Sequence, residues 1–407
     1  MNHITKLLCK RLPALGATLI AGAAMAATPY PVGALNPVSG AGSTFGSGML
    51  KSIEIAAHAI NEAGGACGRT IKIVSADTQT SPDAAVVAAK KLVDVDKVNA
   101  VLGTWSSGVS LAVLPITKAA GITEMNTSGA PAVTQNDPQD LVWRFQATDK
   151  LFGEVFAKIA HQHGFKRPAT MAYNNASGVS LVKSFARTWK ASGGKLASEV
   201  IYNPHQSSYQ SELQQVLSHH PDVVVMGSYV PDTTIILREW YQSGEDPNLK
   251  WIIPGWAAND SLIKALGSQV TQGVISVDSI SNIHAASYRY WAKAYKRETG
   301  HDANTNAYAA MAYDMMTVWG LAMQADCSDL SHKAINGRIR KIDSSSGVKV
   351  YSFAQGKKAL AAGKTINYQG ASSDLSFDAQ GNTTAIFKES VIDHGKLKGV
   401  KLITSVK

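Results

Sequence analysis

Apolar residues along the chain follow two alternating spacings. Short apolar runs typical of buried strands alternate with stretches in which apolar residues recur at helical spacing. The predicted strands lie at 32–35, 71–75, 98–102, 122–125, 169–173, 196–201, 223–226, 251–253 and 274–277. The predicted helices between them lie at 47–63, 82–95, 109–120, 152–163, 179–192, 209–217 and 233–242. Because such alternation builds parallel sheets with right-handed crossovers, the pattern predicts an α/β protein with two doubly wound parallel-sheet lobes.

The last third of the chain has a different pattern. Two further helices are predicted at 286–298 and 306–323, and apolar and polar residues alternate through Ile386 and Ile392. The Asp, Gly and Asn residues at 378–382 suit the positive backbone angles of a tight turn. A terminal β-hairpin with its turn at 378–382 is therefore predicted.

The N-terminal segment has the pattern of a secretory signal peptide. Lys6, Lys10 and Arg11 precede an apolar run, and Ala24-Met25-Ala26 supplies small residues at the positions that a signal peptidase reads. No other apolar stretch approaches the roughly 20 residues needed to span a bilayer. We therefore expect residues 1–26 to be removed and the mature chain, starting near Ala27, to be soluble beyond the cytoplasmic membrane.

Chain length and charge narrow the possible functions. The chain has 407 residues, more than the roughly 250–300 at which a single hydrophobic core stops growing, which agrees with two lobes. Its net charge of +9 falls to +6 without the signal segment, which carries three basic and no acidic residues. Because the remaining basic residues form no continuous stripe, no nucleic-acid partner is predicted.

Two cysteines, Cys67 and Cys327, remain after removal of the signal segment. In an oxidising compartment such a pair favours a disulfide, although two unrelated thiols are the alternative. The sequence has no Cys-x-x-Cys pair, and neither His161-x-His163 nor His219-His220 has a convincing third metal ligand. The sequence therefore predicts no metal and no cofactor.

Four sequence runs follow one another in an order that resembles a known family. They begin at Val32 (VGALNPVSGAGSTFG), Ile60 (INEAGG), Val101 (VLGTWSSG) and Phe377 (FDAQG). Together they span nearly the whole mature chain. The chain resembles the periplasmic solute-binding proteins of branched-chain amino-acid type, which are the receptors of ATP-driven importers.

The resemblance implies a type I periplasmic binding protein, in which the ligand lies in a cleft between two lobes that close about a hinge. Three strands would cross between the lobes, near 145–148, near 277–281 and between about 343 and 351. The first lobe would comprise 27–146 with 280–345, and the second 147–279 with 346–407. The implied partners are a small-molecule ligand and the membrane permease and ATPase subunits of an importer, and the chain itself would be a monomer.

Candidate binding residues follow from where open α/β sheets bind ligands. Such sheets bind at the loops beyond the carboxyl ends of their strands, where helix N-termini present unpaired N–H groups. Ser107 is predicted at a helix start, where it either holds a ligand carboxylate, as the matching serine of the family does, or only caps the helix. Ser106 is the alternative if the register slips by one. The candidates of the first lobe are Phe45, Trp105, Ser106, Ser107, Thr127 and Ser128.

The second lobe contributes two aromatic candidates and one departure from the family pattern. Tyr229 matches a family aromatic residue that closes over the ligand, and Trp256 offers a large apolar surface. Amino-acid binders of the family place a glutamate, which pairs with the ligand ammonium, about where Gly255 stands. Because an unpaired buried ammonium is costly, either Asp260 or Asp232 substitutes for it or the ligand has no ammonium.

The sequence therefore predicts a periplasmic substrate-binding component of an ABC importer. Its ligand would be a small organic carboxylate, either a hydrophobic or branched-chain amino acid or an aromatic acid. The alternatives are a ligand-sensing receptor that docks to a membrane chemoreceptor or kinase, and a binder of amides or ureas. An enzyme is not predicted, because the run from Gly103 to Gly108 is not a Gly-x-Ser-x-Gly elbow and no His-Glu-x-x-His motif is present.

Overall fold

The structure is a computed structural model that describes residues 28–135 and 137–403. The predicted signal peptide, residues 1–26, lies outside the described residues. None of the described helices has the length and the apolar character needed to cross a membrane.

The strands and helices alternate as predicted over most of the chain. The strands are β1 Tyr30–Asn36, β2 Ile71–Asp77, β3 Ala100–Thr104, β4 Thr123–Asn126, β5 Val142–Arg144, β6 Pro168–Tyr173, β7 Glu199–Tyr202, β8 Val223–Gly227, β9 Lys250–Pro254, β10 Ile275–Ile280, β11 Val348–Val350, β12 Ile366–Tyr368, β13 Ile386–Asp393 and β14 Lys396–Ile403. The helices are α1 Ser43–Glu62, α2 Pro82–Lys90, α3 Ser107–Ala119, α4 Asp149–Gln162, α5 Ala176–Ala191, α6 Gln210–Leu217, α7 Val230–Ser243, α8 Asp260–Thr271, α9 Ala286–Thr299, α10 Ala307–Gln324, α11 His332–Asn336 and α12 Phe353–Ala361.

Two separate sheets form the centres of two lobes. The first sheet has the order β2-β1-β3-β4-β5, with all strands parallel. The second has the order β14-β13-β10-β9-β8-β6-β7, in which β6 to β10 are parallel and the last two strands antiparallel. This architecture confirms the predicted α/β fold of two doubly wound lobes. The strand order reverses between β1 and β3 in the first lobe and between β6 and β8 in the second.

Burial explains why these segments form these elements. Every residue of β8 is buried, as expected for a parallel strand covered by helices on both faces. Helix α10 is buried at every position from Tyr308 to Met323 and packs on α1. A helix that is buried all round belongs in a core, so α10 lies at the centre of the first lobe.

The terminal hairpin forms, but its predicted turn position is wrong. The strands β13 and β14 are joined by His394 and Gly395, whose φ angles of 49° and 71° suit a two-residue hairpin turn. Residues 378–382 instead form a separate loop, in which the Asp378 side chain accepts hydrogen bonds from the N–H groups of Gln380 and Asn382. Both segments contain a turn-forming glycine, and only the strand pairing distinguishes them.

The predicted lobe boundary after residue 345 is also wrong. Helix α12 packs on α10 closely enough that a Cβ added at Gly356 would lie 2.3 Å from a methyl carbon of Leu321. Lys357 donates hydrogen bonds to the carbonyls of Ala63 and Gly65 at the end of α1, at 2.9 and 2.8 Å. The segment that contains α12 therefore belongs to the first lobe. The chain returns to the second sheet only after Asn382, not between 343 and 351.

The structure joins Cys67 and Cys327 in a disulfide, with their Cα atoms 5.5 Å apart. This bond joins the loop after α1 to the loop after α10 and closes a chain segment with a sequence separation of 260.

We expect Cys67→Ser/Cys327→Ser to lower the free energy of unfolding by about 2–4 kcal/mol, because the unfolded chain gains the freedom that the crosslink removes. Urea unfolding measures this effect. Wild type unfolded with a reductant serves as the control and should match the double variant, whereas equal midpoints for the variant and the oxidised wild type would contradict the prediction.

Candidate functional site

Aromatic side chains from both lobes meet where the strand order reverses. Trp105, which follows β3, and Tyr229, which follows β8, have ring centroids 5.5 Å apart. Tyr308 at the start of α10 lies 5.9 Å from Trp105 and 5.0 Å from Phe45, and Tyr173 at the end of β6 lies 5.2 Å from Tyr229. We call these five residues the aromatic cluster. Ligands of doubly wound folds bind at these reversal points, so the cluster forms an apolar wall in the expected place.

A polar contact also joins the two lobes beside the cluster. The Tyr229 hydroxyl donates a hydrogen bond of 3.4 Å to Ser106 Oγ and accepts one of 3.1 Å from Asn175 Nδ2. Ser106 has a φ of 75°, which is uncommon for a residue other than glycine. It occupies the N-cap position of α3, yet its side chain makes no capping hydrogen bond. Its hydroxyl therefore faces the second lobe rather than its own helix.

The start of α3 presents backbone donors beside Ser106. The N–H groups of residues 107–109 have no hydrogen-bond acceptor within the described part of the chain. The first helical turn leaves such groups unpaired, and they attract anions. Ser107 itself is buried, and its Oγ accepts a hydrogen bond of 3.0 Å from the Ala130 N–H. The structure thus places the Ser107 side chain against a neighbouring loop and the Ser106 side chain between the lobes.

Ser128 is enclosed by its own lobe. Its N–H donates to Asn126 Oδ1 at 3.0 Å, and its Oγ lies 2.6 Å from Ser110 Oγ. Its carbonyl accepts a hydrogen bond from the Arg144 guanidinium. All three polar groups of Ser128 therefore have protein partners.

Thr127 and a chain of hydroxyls lie beneath the same loop. The N–H and Oγ1 of Thr127 both donate to the Thr104 carbonyl, at 3.0 and 3.4 Å. Ser110 donates to Thr104 Oγ1, which in turn donates to Glu124 Oε1, both at 2.9 Å. Burial raises the pKa of Glu124 to about 8, and the hydrogen bonds from Thr104 and Thr117 act against this rise. Thr127 and Ser128 thus support the loop, with their hydroxyls directed into the lobe.

Trp256 lies apart from the aromatic cluster. Its ring packs edge-to-face on Phe152 with centroids 5.1 Å apart, and its indole N–H donates to the Ser228 carbonyl at 3.0 Å. Phe152 in turn packs on Phe387 of β13, with centroids 4.8 Å apart. The structure therefore places Trp256 in the packing of the second lobe, while Phe45, Trp105, Ser106 and Tyr229 come together.

Three side chains of this region, those of Tyr173, Tyr308 and Asn175, are absent from the residues predicted from sequence. Tyr308 lies about 200 residues after Trp105 in the chain, and the Gln146 amide donates to its hydroxyl at 3.4 Å. Asn175 caps α5 through its Oδ1 while its Nδ2 reaches Tyr229. The sequence signals for these residues are weak: Tyr173 ends a predicted strand, and Asn175 and Tyr308 lie near predicted helix starts.

Comparison with known proteins agrees with the geometry. The family model described as "Periplasmic binding protein" matches residues 29–381. A Leu/Ile/Val-binding protein homolog 7 of Brucella suis is 25% identical over 305 residues, which cover 72% of this chain and 76% of the relative. A chemotactic signal transduction system substrate-binding protein, BasB of Halobacterium salinarum, is 25% identical over 365 residues, covering 87% of this chain and 84% of the relative.

Solved structures share the fold. The leucine-binding protein LivK of Thermotoga maritima has a TM-score of 0.79 at 22% identity and covers 92% of this chain and 99% of its own. A solute-binding protein of an ABC transporter from R. palustris, in complex with benzoate, has a TM-score of 0.73 at 20% identity and covers 92% of this chain and 96% of its own. The resemblance inferred from the sequence motifs is confirmed: the chain belongs to the periplasmic binding protein family and has its type I fold.

Proposed function

We propose that this protein is the periplasmic substrate-binding component of an ABC importer, and that it captures a small organic carboxylate between its lobes. One observation carries the proposal. Unpaired N–H groups at the start of α3 and the Ser106 hydroxyl lie next to an aromatic cluster built from both lobes. This combination suits a ligand with an anionic end and an apolar body.

Each part of the site has a distinct task in binding. The N–H groups of residues 107–109 and the Ser106 hydroxyl donate hydrogen bonds to the ligand carboxylate. Trp105, Phe45 and Tyr308 cover the apolar body from the first lobe, and Tyr229 covers it from the second. Tyr229, whose hydroxyl accepts a hydrogen bond from Asn175, reaches Ser106 only when the lobes are together. The ligand therefore gains partners on closure and shifts the population toward the closed state.

The ligand class follows from this apolar wall together with the relatives. The Brucella relative is named for leucine, isoleucine and valine, and the R. palustris structure holds benzoate. A hydrophobic amino acid and an aromatic acid share a carboxylate and an apolar body, so both suit the cleft. Trp256, which was also proposed from sequence to line the cleft, is assigned here to packing behind it.

Location and partners are part of the proposal. The predicted signal peptide supports export to the periplasm, and the family supports delivery to permease and ATPase subunits.

A sensing role is the second candidate, because the BasB relative carries a chemotactic name and covers 87% of this chain. Measuring uptake of the identified ligand in cells that lack the protein separates the two: lost uptake supports transport, whereas normal uptake with lost chemotaxis supports sensing.

We expect Ser106→Ala to weaken ligand binding by about 1–3 kcal/mol, because the carboxylate loses one hydrogen-bond donor in a site that excludes water. Isothermal titration calorimetry of the mature protein with leucine, phenylalanine and benzoate measures this change against wild type. Ser331→Ala is the matched control, because Ser331 caps α11 on the surface, and its removal should leave affinity unchanged. Unchanged affinity of Ser106→Ala for every ligand that wild type binds would contradict the assignment of Ser106.

A further inference from the structure

Asp278 on β10 occupies the space beside Gly255, which directly follows β9. A Cβ added at Gly255 would lie 2.4 Å from Asp278 Cβ and 2.5 Å from its Oδ2. The resemblance implies that amino-acid binders of the family carry a glutamate about where Gly255 stands. In this chain, the carboxylate of Asp278 fills the volume that a side chain at position 255 would need.

Asp278 lies at the edge of the second sheet that faces the first lobe. The strands β9 and β10 run parallel, Val277 pairs with Pro254, and the Gly255 N–H donates to the Val277 carbonyl at 2.8 Å. Residues 255 and 278 therefore share the carboxyl edge of this sheet, where ligands bind. The charge of Asp278 also adds to the effect of burial in raising the pKa of Tyr308, which belongs to the aromatic cluster.

The carboxylate of Asp278 lacks a cationic partner in the protein. Its Oδ1 accepts a hydrogen bond of 2.8 Å from the N–H of Ser279, and no donor in residues 28–135 and 137–403 reaches its Oδ2. Lys388 is its direct neighbour across β10 and β13 and lowers its pKa, but forms no ion pair with it. Burial is the largest influence and raises the pKa of Asp278 to about 7. A carboxylate in this environment favours the arrival of a cation.

The two aspartates proposed from sequence as substitutes for the glutamate are poorly suited. Asp232 forms a capping box with Tyr229, accepting a hydrogen bond of 3.0 Å from its N–H through Oδ1 and another from the Tyr202 hydroxyl through Oδ2. Asp260 is exposed at the start of α8. Asp232 is therefore committed to protein partners, and Asp260 is open to solvent.

We infer that Asp278 pairs with the ammonium group of the ligand in place of the side chain missing at Gly255, so that the ligand is an α-amino acid with an apolar side chain. This inference rests on the proposed function, in which the start of α3 holds the ligand carboxylate. Asp278 then separates amino acids from acids that lack an amine. Wild type binds the amino acid more tightly because its ammonium gains a partly buried charged partner.

The test compares two pairs of ligands by calorimetry: leucine with 4-methylpentanoate, and phenylalanine with 3-phenylpropanoate. Each pair differs only in the amine. We expect Asp278→Asn to weaken binding of the better amino acid at least 30-fold and to change the affinity for its amine-free partner less than threefold. Asp260→Asn is the matched control and should bind all four ligands as wild type does.

A second variant moves the carboxylate back to position 255. Gly255→Glu/Asp278→Gly removes the side chain that would collide with a glutamate, and we expect it to regain at least tenfold of the amino-acid affinity lost in Asp278→Asn. Wild-type affinity for the amino acid in Asp278→Asn would overturn the inference. Binding of only the amine-free acids by wild type would overturn it and leave the proposed function standing, whereas binding of none of the four would overturn both.

Discussion

Replacing Arg144 by methionine is expected to lower the free energy of unfolding by about 3–5 kcal/mol, because it removes a buried cation that holds several acceptors at once. The guanidinium is fully buried and donates to Asn382 Oδ1 at 2.8 Å, to the Ala130 carbonyl at 2.8 Å and to the Ser128 carbonyl. Methionine has a similar length but no donor, so the buried Ser128 carbonyl loses the guanidinium. The Ala130 carbonyl and Asn382 Oδ1 keep only the hydrogen bonds from the Val133 N–H and the Thr134 hydroxyl. Burial lowers the pKa of Arg144 to about 10, so it stays charged at neutral pH.

The Arg144→Met variant should also bind ligand less tightly than wild type. The loop that Arg144 holds includes Ala130, whose N–H bonds Ser107 at the start of α3. Urea unfolding and calorimetry measure the two effects on the same preparation. Arg297→Met is the control, because Arg297 is exposed and pairs with its neighbour Glu298, so we expect a change of about 0.5 kcal/mol or less. A similarly small loss for Arg144→Met would contradict the prediction.

Replacing Asp314 by alanine is expected to cost about 3–5 kcal/mol of stability as well, because four buried donors lose their acceptor. Oδ1 accepts from the Tyr368 hydroxyl and the Ala371 N–H, at 2.8 and 2.9 Å. Oδ2 accepts from the N–H and the hydroxyl of Ser372, both at 2.6 Å. Burial raises the pKa of Asp314 to about 6, and the hydrogen bonds, led by that from the Ser372 hydroxyl, oppose the rise.

Urea unfolding at pH 8, where Asp314 is ionised, gives the clearest measurement. The exposed Asp260 supplies the control, and Asp260→Ala should change stability by about 1 kcal/mol at most, since it removes only a charge near a helix N-terminus. Asp314→Asn keeps one acceptor but introduces a donor toward other donors, so its stability should lie between that of wild type and that of Asp314→Ala. An Asp314→Ala variant as stable as Asp260→Ala would show that the four hydrogen bonds contribute little.

Arg144 and Asp314 act on the same segment of chain, the return from the first lobe to the second. Arg144 pairs with this segment through its backbone, donating to the Gly381 carbonyl and accepting from the Thr383 N–H. Asp314 holds Ala371, whose carbonyl accepts from the N–H of Asn282 in the second crossing. The hydrogen bonds thus connect the three crossings to one another and to α10. Both variants are therefore expected to loosen the connection between the lobes, which is the hinge of the proposed closure.

Much of the fold could be predicted because its signals are local. The apolar run at 223–226 is a fully buried strand, and the helical spacing at 306–323 is the buried helix α10. The predicted start of α1 at residue 47 was too late, since the helix begins at Ser43 with a turn that is too polar to show the periodicity. The segment around α12 was assigned to the wrong lobe, because its neighbours α10 and α1 are distant in sequence.

The candidate site likewise contains residues that could be identified from local sequence signals and residues that could not. Trp105 and Tyr229 could be identified because each directly follows a strand of a parallel sheet, and the carboxyl ends of such strands form the binding edge. The choice between Ser106 and Ser107 depended on a backbone angle of 75° at Ser106, which neighbouring residue types do not reveal. Tyr308 and Asp278 carried no motif, so their place near the cleft could not be predicted.

The sequence by itself determined the order of strands and helices, the two-lobed fold and the loops that face the cleft, because periodicity and strand ends are properties of neighbouring residues. Only the tertiary structure decided which distant side chains meet. Tyr308 reaches Trp105 because α10 passes beneath the first sheet, and Asp278 reaches the space above Gly255 because β10 pairs with β9. Contacts of this kind depend on strand order and on the path of each crossing, which no local pattern specifies.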